Sequence, residues 1–233
     1  MFFSWKVIVS ASMLLLSFPL LAQSFEPKLD IILVVDNSGS MEEEQFKLAR
    51  QFTNLTYKLQ NTDWQIGIIT TDSPCLRNRN LPITRNSADA EHLFEQSVSV
   101  GINGSGYESG IKMVGEIVSG ALSAQSCVNP HWLRSDAKLA TIFVSDENED
   151  EYSGWRYFRL LTAIEDVGYV IGRTFVANGV YFLPGSSCEA AESAGIDFDA
   201  LIRATGGLKG NICDEDFSVV FQKVSRQLQR FAQ

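Results

Sequence analysis

The sequence lacks several patterns by which function is often recognised. It has only two histidines, His92 and His131, and its four cysteines include no Cys-x-x-Cys pair, so neither residue type has the spacing of a zinc site. It also has no cluster of basic residues, and the net charge is −9 over 233 residues. An acidic chain without a basic patch does not attract nucleic acid or anionic lipid. We therefore predict that neither is a partner.

The long apolar run of the sequence lies at its N-terminus. Residues 1–6 carry a single cation, residues 7–21 are almost continuously apolar, and the small residue Ala22 precedes Gln23. This order of regions is typical of a secretory signal peptide, and the run is short for a membrane span of about 20 residues. We expect residues 1–22 to be removed during export, leaving a periplasmic or secreted protein without a membrane anchor.

All four cysteines follow this segment, at Cys75, Cys127, Cys188 and Cys213. An even number of cysteines in an exported chain indicates disulfides rather than a metal or redox site. Three pairings are possible. We favour Cys75 with Cys127 and Cys188 with Cys213, because each pair flanks loops that the predicted strand order brings together.

Hydrophobic periodicity predicts one α/β domain over residues 27–232. Apolar segments of strand length, such as residues 31–35 and 64–71, alternate with amphipathic segments of helical spacing, such as residues 42–59. Buried strands that alternate with helices are typical of a mostly parallel sheet covered on both faces. Residues 81–84 are predicted as a weak edge strand. We therefore predict a three-layer, doubly wound α/β/α fold with a mostly parallel six-stranded sheet.

Polar side chains follow the first buried strand, in the sequence DIILVVDNSGSM of residues 30–41. Asp36, Ser38 and Ser40 come at the carboxyl end of this strand, and Asp146 ends another apolar segment. In a doubly wound sheet, ligands bind outside the carboxyl ends of the strands. Hydroxyl and carboxylate oxygens without nitrogen or sulfur donors suit a hard divalent cation such as Mg²⁺. These four residues are therefore predicted metal ligands.

This pattern resembles the von Willebrand factor A (vWA) domain and its metal-ion-dependent adhesion site (MIDAS). The Asp-x-Ser-x-Ser string, the apolar strand before it, the helix after it and the second strand ending in Asp146 carry the resemblance, which covers residues 27–232. It implies that one edge strand of the six-stranded sheet is antiparallel. It also implies that Ser38 and Ser40 bind the ion directly and that Asp36 and Asp146 act directly or through water. It also implies one open coordination position, which an acidic side chain of a protein partner fills. The turns TTDSPC and VSDENEDE further resemble exported bacterial members of the family.

The second loop of the predicted site departs from the family pattern. Family members usually place a Thr there, whereas residues 104–110 read GSGYESG. Alignment of the glycines puts Tyr107 at the Thr position, but a phenolic oxygen is a poor ligand for a hard cation. Glu108 is the better candidate and Ser105 the weaker one. Three carboxylates would then surround one divalent ion, and we expect this extra charge to favour cation binding, to admit Mn²⁺ or Ca²⁺, and to disfavour an acidic partner.

Two simpler interpretations of these polar residues stay open. Asp36 and the two serines could be ordinary caps of the following helix, a position at which Asp and Ser are preferred. The acidic residues 147–151 are expected to form a solvated loop rather than to bind a metal.

The sequence offers no catalytic signature. It has no Gly-x-Ser-x-Gly elbow, and the glycine-rich residues 101–106 lack the Gly-Lys-Ser/Thr of a phosphate-binding loop. A phosphatase of the haloacid dehalogenase type needs a second Asp where Ser38 stands. We therefore expect a non-catalytic protein that binds a divalent metal and, through it or the adjacent loops, a protein partner. A structural domain whose metal only fixes the loops and a metal-dependent hydrolase are the alternatives.

Overall fold

The structure is a computed structural model that describes residues 26–122, 127–150, 154–187 and 191–233. It contains a six-stranded sheet formed by β1 (Lys28–Val35), β2 (Asp63–Thr70), β3 (Ile83–Thr84), β4 (Lys138–Ser145), β5 (Phe175–Tyr181) and β6 (Lys209–Asn211). The strand order is β3-β2-β1-β4-β5-β6. All neighbouring strands are parallel except β2 and β3, which are antiparallel. The predicted sheet with one antiparallel edge strand is therefore confirmed.

Helices cover both faces of this sheet. In the described residues they are α1 (Glu42–Ala49), α2 (Phe52–Thr56), α3 (Ala90–Val98), α4 (Gly110–Val118), α5 (Tyr157–Asp166), α6 (Ile196–Thr205) and α7 (Ser218–Ala232). Helices α1, α2, α3 and α7 contribute to one hydrophobic cluster, whereas α4, α5 and α6 contribute to a second cluster on the other face. The three-layer α/β/α architecture is therefore also confirmed.

The predicted helix over residues 42–59 is broken into α1 and α2. The break lies at Gln51, whose backbone N–H donates to the carbonyl of Leu48. The carbonyl of Lys47, which would accept that N–H in a continuous α-helix, instead accepts the side-chain amide of Gln51 at 2.9 Å. A side chain that hydrogen-bonds nearby backbone competes with helix continuation. Leu48 and Leu55 on the two pieces are nevertheless both fully buried.

The central position of β1 follows from its apolar character on both faces. Successive side chains of a strand point to opposite faces, and alternate residues of β1 accordingly enter the two different clusters. Val35, its last residue, is paired with Thr70 of β2 and Val144 of β4. The loops that follow these three strands therefore begin side by side at one edge of the sheet.

A buried ion pair lies near the opposite edge of the sheet. Asp30 in β1 is fully buried, and its carboxylate accepts the backbone N–H of Arg134 at 2.6 Å and the Nε–H of Arg134 at 2.8 Å. The same guanidinium lies 2.9 Å from the carboxylate of Asp63. Burial raises the pKa of Asp30 above 3.8, and the contacts with Arg134 oppose that rise. Arg134 thus compensates a charge that the sheet buries.

The disulfide between Cys75 and Cys127 is present, with an S–S distance of 2.05 Å. It links the loop after β2 to the segment after α4, so this predicted pairing is confirmed. Cys188 lies outside the described residues, and the predicted pairing with Cys213 therefore stays a prediction. The predicted signal peptide, residues 1–22, also lies outside them. Among the described helices, none combines the length and the apolar character that a membrane crossing requires.

Candidate functional site

Asp36 is held rigidly at the carboxyl end of β1. The residue is fully buried, and its Oδ1 accepts the backbone N–H of Ser38 at 2.8 Å. Its Oδ2 accepts the hydroxyl of Ser145, the last residue of β4, at 2.6 Å. Burial raises the pKa of Asp36 above 3.8, while these donors oppose the rise. The hydrogen bonds place the carboxylate between the loops that follow β1 and β4.

The two predicted serine ligands lie in the turn between β1 and α1. The hydroxyl oxygens of Ser38 and Ser40 are 3.3 Å apart. Neither is used as a helix cap, since Ser38 makes no capping hydrogen bond to the 3-10 turn Gly39–Met41 that follows it and α1 begins only at Glu42. The interpretation of the serines as ordinary caps is therefore wrong. Their hydroxyls are available to a ligand.

The remaining two predicted ligands, Glu108 and Asp146, are buried and incompletely paired. Glu108 is only 1% exposed, and neither of its carboxylate oxygens has a partner in good hydrogen-bond geometry in the described part of the chain, nor does Oδ1 of Asp146. The Glu108 carboxylate nevertheless lies close enough to Thr71 and Asp36 to interact with both. Burial, together with the charge of Asp36, raises the pKa of Glu108 to about 9 and that of Asp146 to about 6. Buried carboxylates with perturbed pKa values and no partner are typical of functional sites.

The structure distinguishes the three candidates for the position of the usual Thr. Tyr107 is exposed. The hydroxyl of Ser105 accepts the backbone N–H of Tyr107 at 3.0 Å. Glu108 is the candidate whose carboxylate interacts with Asp36. The loop GSGYESG therefore brings a carboxylate, not a hydroxyl, against the first predicted ligand.

The comparison with protein families agrees with this arrangement. The model of the von Willebrand factor type A domain matches residues 31–148, half of the chain. This chain belongs to the von Willebrand factor type A domain family. The matched residues include all five predicted ligands.

A solved structure shows the same fold as this vWA domain. It is the structure of proximal thread matrix protein 1 from the mussel byssus, with a TM-score of 0.51 and 11% sequence identity. The alignment covers 88% of this chain but 46% of that protein, so this chain spans less than half of its length. At this identity the likeness shows the fold alone. A comparison with curated proteins found no match.

Sequence reasoning missed the residues that join the loops of the vWA site. The side-chain amide of Asn37 donates to Oδ1 of Asp72 at 3.2 Å, and Oδ2 of Asp72 accepts the backbone N–H of Ser105 at 3.2 Å. The carbonyl of Asn37 accepts the backbone N–H of Gly104 at 2.9 Å. A Cβ on Gly104 would lie 2.3 Å from the Asn37 side chain, so a larger residue would displace that side chain. The turn TTDSPC was the available sequence signal for Asp72.

The sequence predicted a solvated loop for the acidic residues 147–151, but the structure buries one of these residues against a helix. Glu149 is buried, and its carboxylate accepts the backbone N–H groups of Ile111 at 2.7 Å and Lys112 at 3.2 Å in the first turn of α4. A carboxylate at this position satisfies free helix N–H groups and interacts favourably with the helix dipole. Burial and then neighbouring carboxylates raise the pKa of Glu147 to about 7. The last residue of the run lies outside the described part.

The pKa of Glu108 leads to a prediction about pH. In the folded protein this pKa is about 9, against an ordinary value of 4.5, so the folded state binds the proton more tightly than the unfolded state. Stability therefore falls as the pH rises from about 4.5 towards 9. One pKa unit corresponds to about 1.4 kcal/mol, so we expect Glu108→Gln to raise the free energy of unfolding of the metal-free protein by at least about 2 kcal/mol at pH 8.

Urea unfolding in EDTA at pH 4 and pH 8 measures this difference. The gain from Glu108→Gln should be close to zero at pH 4, where the wild-type carboxyl is protonated in both states. Glu165→Gln, which removes the same charge from an exposed position near the end of α5, should change little at either pH. A gain of equal size at the two pH values would contradict the assignment of the effect to the charge of Glu108.

Proposed function

We propose that this vWA domain is exported, binds a divalent metal ion, and holds a protein partner through the ion or the adjacent loops, without catalysing a reaction. The observation that carries the proposal is the group of buried carboxylate oxygens on Glu108 and Asp146 without hydrogen-bond partners in the described residues, at the same loop edge as the hydroxyls of Ser38 and Ser40. Buried polar atoms of this kind cost free energy unless a ligand satisfies them. The Cys75–Cys127 disulfide supports export, because disulfides form and persist in oxidising compartments.

The donor set fits a hard cation. In the described residues, no three His, Cys, Asp or Glu side chains are grouped closely enough to hold a metal ion. The carboxylates of Asp36, Glu108 and Asp146 therefore do not converge on one point as they stand, and the serine hydroxyls are a necessary part of the proposed site. Oxygen donors alone favour Mg²⁺, with Mn²⁺ or Ca²⁺ as further possibilities. The residues that would hold the ion are Asp36, Ser38, Ser40, Glu108 and Asp146, and binding by all three carboxylates would require their side chains to move closer together. A bound ion would supply positive charge that attracts an oxygen of the partner.

The alternative in which the ion only fixes the loops is less well supported. The contacts of Asn37 with Asp72 and Gly104, and of Asp72 with Ser105, already join three loops through protein atoms alone. An ion is therefore not needed to connect them. Its more useful role is to present a positive charge at the loop edge of the sheet.

Calorimetric titration with Mg²⁺, Mn²⁺ and Ca²⁺ tests the metal site. We expect saturable binding of one ion per chain and at least about tenfold weaker binding in Asp36→Ala, because a charged ligand is lost. Ser40→Ala, a change at an exposed position, provides a second variant that is expected to fold. Glu165→Gln should bind like wild type.

The outcomes test the metal site, the role of Glu108 as a ligand and partner binding through the ion separately. No saturable binding to the folded wild-type protein, or unchanged binding in both Asp36→Ala and Ser40→Ala, would reject the metal site. Equal metal affinity in Glu108→Gln and wild type would reject only Glu108 as a ligand. If the ion mediates partner binding, the yield of a partner pull-down should fall when EDTA is added.

A further inference from the structure

An acidic pocket opens beside the proposed metal site, between the loop after β4 and the start of α6. Its volume is about 470 Å³. Half of its described lining residues are acidic, and none of those described is basic. The lining residues are Glu108, Glu147, Asn148, Glu149, Asp150, Ser193, Ala194 and Ile196.

The negative charge of this acidic pocket is not balanced by the described residues. Both carboxylate oxygens of Glu108 lack a hydrogen-bond partner there, although the side chain is only 1% exposed. The ion pairs of the described chain include neither Glu108 nor Glu147. Glu149 differs, because its carboxylate already accepts two N–H groups of α4. Glu108 at the buried end and Glu147 nearer the surface therefore line the acidic pocket without a cation.

The acidic pocket stays negative when the proposed metal ion is bound. One divalent ion balances two of the three carboxylates of Asp36, Glu108 and Asp146, and Glu147 adds further negative charge. A carboxylate has two oxygens, so an ion that uses one oxygen of Glu108 leaves the other for a second contact. Without the metal, a pKa of about 9 keeps the Glu108 carboxyl protonated at neutral pH, so the attraction for a cation then comes from the other acidic residues of the pocket and is weaker.

The other walls indicate what kind of cation fits. Ile196 is 60% exposed and forms an apolar wall together with Ala194. Lysine and arginine side chains lay their methylene stems along apolar surface and keep the charged group at polar atoms. The pocket volume is much larger than an inorganic ion requires, whereas a long side chain uses both the apolar wall and the carboxylates.

We propose that the acidic pocket receives a lysine or arginine side chain of the protein partner, directly beside the metal site. The proposal shares with the proposed function the existence of a protein partner, but it does not require the metal. The pocket would therefore select partners that carry a basic residue next to the group that reaches the metal site. Complementary charge of this kind contributes to specificity and to the rate of association.

A pair of capped peptides tests this proposal. The probe is acetyl-Gly-Arg-Gly-amide, and the control is the same peptide with citrulline, which keeps the shape of arginine but not its charge. Binding to the ¹⁵N-labelled protein is followed by NMR, in EDTA and again with Mg²⁺. We expect saturable shifts at the amides of Asn148 and Ala194 in both conditions and at least about tenfold weaker binding of the citrulline peptide. The affinity for the arginine peptide should fall as salt is added.

Matched variants assign the effect to the acidic pocket. Glu147→Gln, at a partly exposed position, should weaken binding of the arginine peptide at least about fivefold, whereas Glu165→Gln should leave it unchanged. Equal affinity for the two peptides, or no effect of Glu147→Gln, would overturn the proposal. A second divalent ion per chain in calorimetry, lost in Glu147→Gln, would overturn it in favour of an inorganic occupant. Peptide binding without any metal binding would reject the metal site alone.

Discussion

The Arg134→Met variant is expected to have a free energy of unfolding about 3–5 kcal/mol below that of wild type, since removal of one partner of a buried ion pair leaves an uncompensated charge. That charge is Asp30, which is fully buried in β1 and accepts hydrogen bonds from the backbone N–H and from the Nε–H of Arg134. The substitution removes only the second of these. Methionine retains the apolar stem but supplies no positive charge. Urea unfolding at pH 7 measures the loss.

Two comparisons show whether the loss arises from the charge of Asp30. Burial already raises the pKa of Asp30, and removal of Arg134 should raise it further, so the penalty should be smaller at pH 4 than at pH 8. Adding Asp30→Asn to Arg134→Met should recover part of the stability. Arg85→Met, which breaks a partly exposed pair with Glu26, should cost no more than about 1 kcal/mol. A similar loss in Arg85→Met and Arg134→Met would contradict this explanation.

The second large effect is expected from removal of the disulfide. Cys75 and Cys127 are 52 residues apart, and loop-closure entropy predicts that a cross-link of this length stabilises the folded state by about 4 kcal/mol. The Cys75→Ala, Cys127→Ala double variant should therefore lose stability by about that amount. Denaturant unfolding of the oxidised protein and of the double variant measures the difference.

The same double variant also reports on the connection between the disulfide and the site. Cys75 lies three positions after Asp72, whose carboxylate accepts hydrogen bonds from Asn37 and Ser105. We expect the metal affinity of the double variant to fall less than that of Asp36→Ala, because no ligand is removed.

A loss of stability below about 1 kcal/mol in the double variant would mean that the cross-link adds little constraint to the unfolded chain.

Much of the fold could be predicted from the sequence, because a strand that is buried on both faces of a sheet appears as a continuous run of apolar residues. Residues 31–35 form a continuous apolar run, and β1 indeed lies at the centre of the sheet. Element boundaries were less predictable, since they depend on individual hydrogen bonds. The break between α1 and α2 depends on the Gln51 side chain, which takes the Lys47 carbonyl from the backbone. The spacing of apolar residues in 42–59 does not indicate that the Lys47 carbonyl accepts a side-chain amide instead of a backbone N–H.

In the candidate site, too, residues within one short sequence pattern could be predicted, whereas residues that act through distant contacts could not. Asp36, Ser38 and Ser40 could be recognised because one short string contains them directly after a buried strand. The role of Glu149 could not be recognised, and the turn TTDSPC marked the position of Asp72 without showing its role, because both roles depend on partners that are distant in the sequence. Glu149 accepts N–H groups 37 and 38 residues away, and in the sequence it is one acid in an acidic run.

The central position of β1 has a consequence for how and when the protein folds. β1 needs β4 as a neighbour, and the hydrogen bond from Ser145 to Asp36 spans 109 residues. Contacts between distant parts of the sequence must overcome a large chain entropy and slow folding. The sheet and the loop edge therefore cannot close until more than half of the chain has been synthesised. If the chain is exported unfolded, as the proposed function implies, this late closure would leave it unfolded for longer during translocation.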